Sequence, residues 1–444
     1  MTEPLSRDAE RIVETLRAAG HEAYFAGGCV RDMVMGVPPH DYDIATSARP
    51  EEVVRLFPGS LTVGAQFGVV VVLAGSGDFE VATFRVDAAS SDGRHPDSVR
   101  FCSAREDVAR RDFTINGMLY DPTAHQVIDW VEGQEDVRRR VVRAIGNPEE
   151  RFAEDKLRLL RAVRFAARLD YAVEEKTYAA MVHMAPHTGE VSAERVRDEL
   201  VRILTGPNAG RAVRLMHDTG LLKPVLPEIE ALVGVEQPPQ FHPEGDVFEH
   251  TCVMLDATRN PSPELAMAVL LHDVGKPQTQ TFAERIRFDD HDQAGAEMAR
   301  DICRRLRFSN DQMEQIVLLV GSHMRFMAVQ RMKLSTLKRL LGLNRFDEHL
   351  ELHRLDCLAS HGKLDNYEFL RQKLEEFSLE EIAPEPLVTG RDLIEMGYKP
   401  SPLFKRILDA VREEQLENRL TSREESIEWI RQRSEQWKQG EETR

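Results

Sequence analysis

Apolar residues recur at helical spacing over positions 6 to 19 and stop at Gly20. The apolar run Ala23 to Ala26 then reads as a strand entering a glycine turn. Two further strands are expected in the β-branched stretches 61–75 and 78–86, split at Gly75 to Gly77. Beyond Pro148 the period changes. Helical spacing runs from Arg151 to about Leu232, broken by Gly206-Pro207 and Gly220. A proline-rich joint at 237–245 leads into a second helical stretch to about Phe377 that holds most of the histidines, and the last sixty or so residues are helical and end in a charged tail expected to fray. The pattern predicts an α+β chain: a mixed-sheet head over 1–145, then a helical neck over 146–236, a histidine-rich region over 237–380 and a helical tail over 381–444.

Composition narrows the class. The 444 residues are 42% hydrophobic and 30% charged, with a formal net charge of -17. So acidic a chain does not coat nucleic acid by bulk electrostatics, because phosphate binding needs local Lys and Arg. An RNA partner must meet a local basic surface, such as the run Arg138 to Arg143 or the ladder Arg151, Arg158, Arg161, Arg164 and Arg168; interleaved acids leave open a merely solvated helix face. The five cysteines lack CxxC spacing, so neither a zinc knuckle nor a disulfide framework is expected. No apolar run has the roughly 18 to 20 residues of a membrane span, and the start MTEPLSRDAERIVETL lacks a signal-peptide core, so a cytoplasmic protein with no membrane partner is expected.

Four segments carry chemistry. Ala26 to Asp32 (AGGCVRD) links strand to helix, so Gly28 can bring backbone N–H groups to a phosphate and Arg31 can pair with its oxygens. Asp41-Tyr42-Asp43 places two carboxylates on one face of an extended segment, where they can share divalent cations. Arg110-Arg111-Asp112 offers the paired donors that suit a triphosphate, or a plain ion pair from Arg to Asp112. Asp155, Arg158 and Arg161 fall along one helical stripe, where an acceptor beside a donor can read a base edge or merely form ion pairs.

In this order the segments resemble the class II CCA-adding tRNA nucleotidyltransferases and the related bacterial poly(A) polymerases, over roughly residues 20 to 230. The resemblance implies a nucleotidyltransferase head in which Asp41 and Asp43 hold Mg2+, with Gly28, Arg31 and Arg111 on the nucleotide. It implies that Asp155 and Arg158, assisted by Arg161 and Arg164, form a protein template selecting CTP or ATP for addition to a tRNA 3′ end. Arg85 to Pro96 is similar to the flexible loop of members that add the terminal A. Two departures stand out: Ala88-Ala89-Ser90 replaces a more usual Gly/acidic/Tyr stretch, and Gly117 stands where Ala is common, which is expected to reflect local packing.

His250, His272-Asp273, His291, His323 and Asp356 lie in apolar helical contexts, and imidazoles and carboxylates converging from several helices can bind a divalent metal. Their order resembles the HD superfamily of metal-dependent phosphohydrolases. The resemblance implies a first metal on His250, His272, Asp273 and Asp356, a second completed by His291 and His323, a transition metal or Mg2+ as the ion, and Lys276 near phosphate. Three functions remain open: CCA addition with an extra phosphohydrolase activity, a poly(A) polymerase or A-adding enzyme, or an HD phosphohydrolase with a regulatory nucleotide-binding head.

Overall fold

A computed structural model describes residues 2–62, 68–87, 99–237, 245–282, 286–433 and 437. The chain divides into two compact units: Met1–Val235 with Val247–Leu270 and Asp301–Ser309, and Glu236–Asp246 with Leu271–Arg300 and Asn310–Arg444.

The first unit opens with α1 (Thr2–Ala18), which ends where Gly20 takes a positive φ, and continues through β1 (Ala23–Ala26), α2 (Gly28–Val34), β2 (Asp43–Thr46), α3 (Pro50–Leu56), β3 (Val69–Ala74) and β4 (Gly77–Thr83). A short hairpin, β5 (Arg85–Asp87) with β6 (Val99–Phe101), precedes α4 (Ala104–Ala109), β7 (Met118–Asp121), β8 (Gln126–Asp129), α5 (Gly133–Arg139) and β9 (Val141–Val142). Six strands form one mixed sheet in the order β3-β4-β2-β1-β7-β8, with β2 and β4 parallel and the other neighbours antiparallel. The expected strands at 69–86 are present and turn at Gly75-Ser76, where Asp8 of α1 accepts hydrogen bonds from the Ser76 amide and hydroxyl. Most residues of the expected loop at 85–96, those from 88 onward, lie outside the described residues, as does most of the proline-rich joint.

The neck comprises α6 (Pro148–Glu154), α7 (Leu157–Leu169), β10 (Ala172–Val173), α8 (Glu175–Met184), α9 (Ala193–Leu204) and α10 (Ala209–Asp218). Here one expectation fails: Asp155 does not lie on a helix. It adopts an extended conformation (φ -149°) between α6 and α7, and its Oδ1 accepts from the Leu157 amide, a local side-chain bond that competes with helix continuation. The remainder is otherwise helical, with two short strand pairs added: β10 beside β9, and a hairpin of Gln280–Phe282 with Ile286–Phe288. The helix Val247–Ala257 packs on α10, and Arg214 pairs with Glu249 and Asp256 across that contact.

The second unit contains the turn after Leu271, that hairpin, and helices including Asn310–Ser322, Phe346–Ala359 and Asp365–Glu376. Gly275 sits where the turn meets the start of the His291–Arg305 helix; a Cβ there would overlap the His291 carbonyl and lie 2.7 Å from the Gly295 amide. Residues from Val388 to Ile430 close a separate apolar core around Ile407. Among the described residues no helix is long and apolar enough to cross a membrane.

Two glycines test this packing. A Cβ at Gly210 would overlap the Cys252 backbone carbonyl, whereas at Gly117 it would meet only the ends of Ile145 and Val131, at 2.7 and 2.9 Å. Side-chain tips can yield and a helix backbone cannot. Gly210→Ala is therefore expected to cost at least about 3 kcal/mol in urea denaturation and Gly117→Ala about 1 kcal/mol; equal losses would contradict the described helix crossing.

Candidate active site

Antiparallel pairing of β1 with β2 sets Ala26 opposite Asp43, so the glycine turn and the second carboxylate share one edge of the sheet. Gly27 takes φ +74°, and a Cβ there would lie 3.5 Å from Arg111 Nη1 and 3.7 Å from Asp43 Oδ2. Three of the sequence segments therefore meet at one point. They open onto a cavity of about 510 Å³ lined by Gly27, Gly28, Arg31, Asp41, Asp43 and Arg111 on the head side. Asp41 precedes β2 rather than lying within it, yet both carboxylates line the same wall.

Asp43 is exposed to the cavity, and the protein around it only partly dehydrates its carboxyl. That partial dehydration, then the charges of Asp41 and Glu80, push its carboxyl up to about 6 against the pull of Arg111. Two mutually repelling carboxylates of hard oxygens beside an arginine-rich wall are a donor set that fits Mg2+. Arg31 is oriented by Asp32 at 2.7 Å and by Asn116 Oδ1 at 2.8 Å, and its guanidinium keeps further donors for an anion in the cavity.

The arginine pair is held by a different acid from the Asp112 that the sequence offered. Arg110 and Arg111 both pair with buried Asp107, three and four residues earlier on α4, at 2.7 and 3.0 Å. Asp112 pairs instead with Arg161 of α7, which donates to Asp112 Oδ2 from Nε at 2.8 Å and Nη2 at 2.6 Å. Burial opposes ionisation of Asp112, but the Arg161 charge and hydrogen bonds outweigh it and hold the carboxyl below the usual range.

On the neck side the cavity is lined by Asp155, Arg158, Arg161, Phe165, Arg168 and Arg195. Asp155 Oδ2 accepts from Arg195 at 2.8 Å. Arg158 pairs with Glu154 and donates to the backbone carbonyls of Arg151 and Arg110. Arg164 is a correction: it is absent from the cavity lining, and its buried guanidinium donates to buried Glu199 at 2.5 Å, joining α7 to α9. Of the outer basic run, Arg138 and Arg139 pair with Glu135, and Arg143 with buried Asp136. Sequence reading missed Asp107 and Arg195. The i,i+3 and i,i+4 spacing from Asp107 to the two arginines was a usable signal; Arg195, forty residues from Asp155, had none.

A second candidate site lies in the second unit. Asp273, His291 and His323 are all buried, and their ligand atoms lie within 4.8 Å of one another. His291 Nδ1 faces the Phe288 carbonyl and His323 Nδ1 the Val320 carbonyl, each at 2.7 Å. A carbonyl only accepts, so each Nδ1 carries a proton and the two Nε2 atoms face each other at 3.2 Å; burial opposes a charge on His291, but Asp273 outweighs it and raises that ring, so it is a neutral ligand only when a cation takes the place of its Nε2 proton. Asp273 Oδ1 adds a third acceptor at 3.4 and 3.9 Å. Such a set calls for a cation, and burial, then the charge of His272, pushes His323 down to about 4, toward the neutral ligand form. The other Asp273 oxygen faces His272 at 3.1 Å and Lys276 at 2.6 Å. Asp356 lines the same cavity of about 460 Å³, while His250 is buried in the Val247–Ala257 helix of the first unit.

Three family descriptions match successive stretches of the chain. The family description "Poly A polymerase head domain" matches residues 23–143, "Probable RNA and SrmB- binding site of polymerase A" matches residues 170–232, and "HD domain" matches residues 247–357. A CCA-adding enzyme of Lactobacillus delbrueckii subsp. bulgaricus is 33% identical over 419 residues, covering 92% of this chain and 93% of that protein. One from Enterococcus faecalis is 45% identical over 203 residues, which span 46% of this chain and 50% of that relative's length. The crystal structure of the Bacillus stearothermophilus CCA-adding enzyme in complex with CTP superposes with a TM-score of 0.78 at 30% identity, over 99% of this chain and 100% of that one.

The Asp112–Arg161 pair has a signed pH dependence. Because the folded carboxyl lies below its unfolded value of about 3.9, its stabilisation is complete above that value and is lost as pH falls through the lower folded one. Arg161→Leu leaves the carboxylate buried and unpartnered by that arginine, which is expected to cost about 2 to 3 kcal/mol at pH 7, at the low end because Arg161 is 30% exposed. In the variant the buried carboxyl without Arg161 protonates more readily, so the difference should already shrink as pH falls toward about 4 and go on shrinking through the lowered folded value of the wild type. A cost that stays constant from pH 7 to 3.5 would overturn this account of the pair.

Proposed function

The chain belongs to the family of CCA-adding enzymes, and on that premise we propose that it is a template-independent tRNA nucleotidyltransferase. It builds or repairs the 3′-terminal CCA from CTP and ATP, in the cytoplasm, with Mg2+ held by Asp41 and Asp43. The observation that carries this reading is the single cavity in which a dicarboxylate, a glycine turn at a helix start, Arg111 and the Asp155–Arg158 pair converge.

When bound between Asp41 and Asp43, divalent ions lower the pKa of the acceptor hydroxyl and neutralise the departing pyrophosphate. The chain's own groups do the rest. Backbone amides at Gly28 and the guanidiniums of Arg31 and Arg111 seat the triphosphate, with Asp107 and Asp32 holding those arginines in position. Asp155 and Arg158 face the base as acceptor and donor, and Arg195 fixes which carboxylate oxygen is turned to it. A pocket that pairs with a base through buried polar groups rejects bases that leave those groups unpaired, so no nucleic-acid template is needed. Arg161 and Arg164 act by holding α7 against Asp112 and Glu199.

The second unit carries a phosphohydrolase activity in this reading. Within that unit His272, Asp273 and Asp356 would hold one ion and His291 and His323 a second, the ions being Mg2+ or a transition metal. Asp273 turns one oxygen to His272 and the other to His291 and His323, so its carboxylate would serve both groups of ligands.

The decisive assay supplies each triphosphate separately to a tRNA ending at its discriminator base. The expected product is CCA, and Asp41→Ala should lower the rate at least about a thousandfold, on the order of 4 kcal/mol. Asp273→Ala should leave addition unchanged while removing metal-dependent phosphoesterase activity. Long tails made with ATP alone on unrelated RNA would establish a poly(A) polymerase instead. Phosphoesterase activity in a wild type without transferase activity would identify the head as regulatory.

A further inference from the structure

The cavity beside the Asp273–His291–His323 cluster meets a second one. That neighbour has a volume of about 440 Å³, and Met327, Cys357 and His361 line both. Each volume alone lies in the range, roughly 300 to 1,000 Å³, of pockets that enclose a small organic ligand.

The two have different walls. Beside the cluster, Ile286, Phe288, Met324 and Met327 form an apolar side. Met324 and Met327 are 39% and 54% exposed there, although large apolar side chains are usually covered. Polarisable thioethers next to an aromatic ring suit the flat face of a nucleobase. The second cavity is polar, with Gln330, Lys363 and Asn366 in its wall, and the Asn366 amide donates to the Phe326 carbonyl at 3.1 Å, which anchors that wall.

His361 stands at the junction. Its Nδ1 accepts the Lys363 backbone N–H at 3.0 Å, so the neutral ring carries its proton on Nε2. The junction thus offers an N–H donor, with the Lys363 ammonium on the far side of it, and both suit a phosphodiester oxygen. A free mononucleotide has no second phosphate to place there.

We propose that this pair of cavities binds the last two nucleotides of an RNA strand. The terminal phosphoester sits at the cluster, its base lies against Met324 and Met327, the internal phosphodiester crosses at His361, and the penultimate nucleotide occupies the cavity beside Lys363. In hydrolysis the water oxygen bonds to phosphorus, the phosphorus–ribose oxygen bond breaks, and a water proton ends on the ribose oxygen. This rests on the phosphohydrolase reading of the second unit.

The test is equilibrium binding to the full-length protein, by calorimetry, with CTP saturating the head cavity. The probes are adenosine 3′-phosphate and the dinucleotide ApA carrying the same 3′-phosphate. The dinucleotide should bind at least tenfold more tightly. In the double variant His361→Ala/Lys363→Ala the gap should close, and Lys363→Ala alone, which alters only the second cavity, should narrow it while affinity for the mononucleotide stays unchanged; both residues are exposed, so the fold is expected to survive. Met327→Ala should weaken both probes. Equal affinities in the wild type, or a gap that survives the double variant, would overturn the proposal. Hydrolysis of bis(p-nitrophenyl) phosphate with Mg2+ or Mn2+ separates the two readings: a wild type that cleaves no phosphoester but shows the His361- and Lys363-dependent gap keeps the subsite and loses the hydrolase.

Discussion

Asp112 and Arg161 come from parts of the chain forty-nine residues apart, and their twin hydrogen bonds join the catalytic head to the neck helix. Asp112 lies almost out of water and Arg161 is partly exposed, so the carboxylate is the member that would be costly to leave unpartnered. Much of the cavity depends on it. Asp112 sits directly after the arginine pair, and Arg161 lies one helical turn beyond Arg158, so closing this contact brings the wall with Asp155 and Arg158 to the wall with Asp41 and Asp43. Arg164 and Glu199 repeat the device one layer deeper, fixing α7 to α9, whose first turn supplies Arg195.

Within that frame nearly every cation in the cavity is already held by an acid of the chain. Arg110 and Arg111 are held by Asp107, and Arg31 by Asp32. Such pairing lowers the side-chain entropy that a triphosphate would otherwise have to overcome, and it keeps positive charge concentrated in one place on a protein whose overall charge is -17. The dicarboxylate is the exception. Asp41 and Asp43 repel each other across the cavity wall, and a divalent cation relieves that repulsion.

The two candidate metal sites follow opposite physical designs. In the head, two oxygens at a solvent-accessible wall suit hard, partly hydrated ions that must exchange with nucleotide. In the second unit, buried imidazoles have their tautomers set by backbone carbonyls, so acceptor atoms converge in a space with little water. That arrangement suits a longer-lived ion, and Gly275 allows it by letting the turn approach the His291 helix more closely than any side chain would permit.

The glycine turn, the paired aspartates and the double arginine were legible in the sequence because each is a pattern of near neighbours: a glycine pair after a strand, an i,i+2 offset, two adjacent arginines. The histidines and Asp273 were legible as a set, since so many metal-ligating residue types in apolar helices are hard to explain otherwise. Other features were decided only by tertiary structure. Helical spacing placed Asp155 on a continuous stripe, whereas a side-chain bond to the Leu157 amide and the pull of Arg195 set it in a break between helices. The family resemblance put Arg164 with the nucleotide contacts, and burial against Glu199 turns it away from the cavity. Periodicity reports which face of an element a residue occupies, but the partner that claims its charge is chosen by chain segments dozens of residues away, brought close only when the cores close.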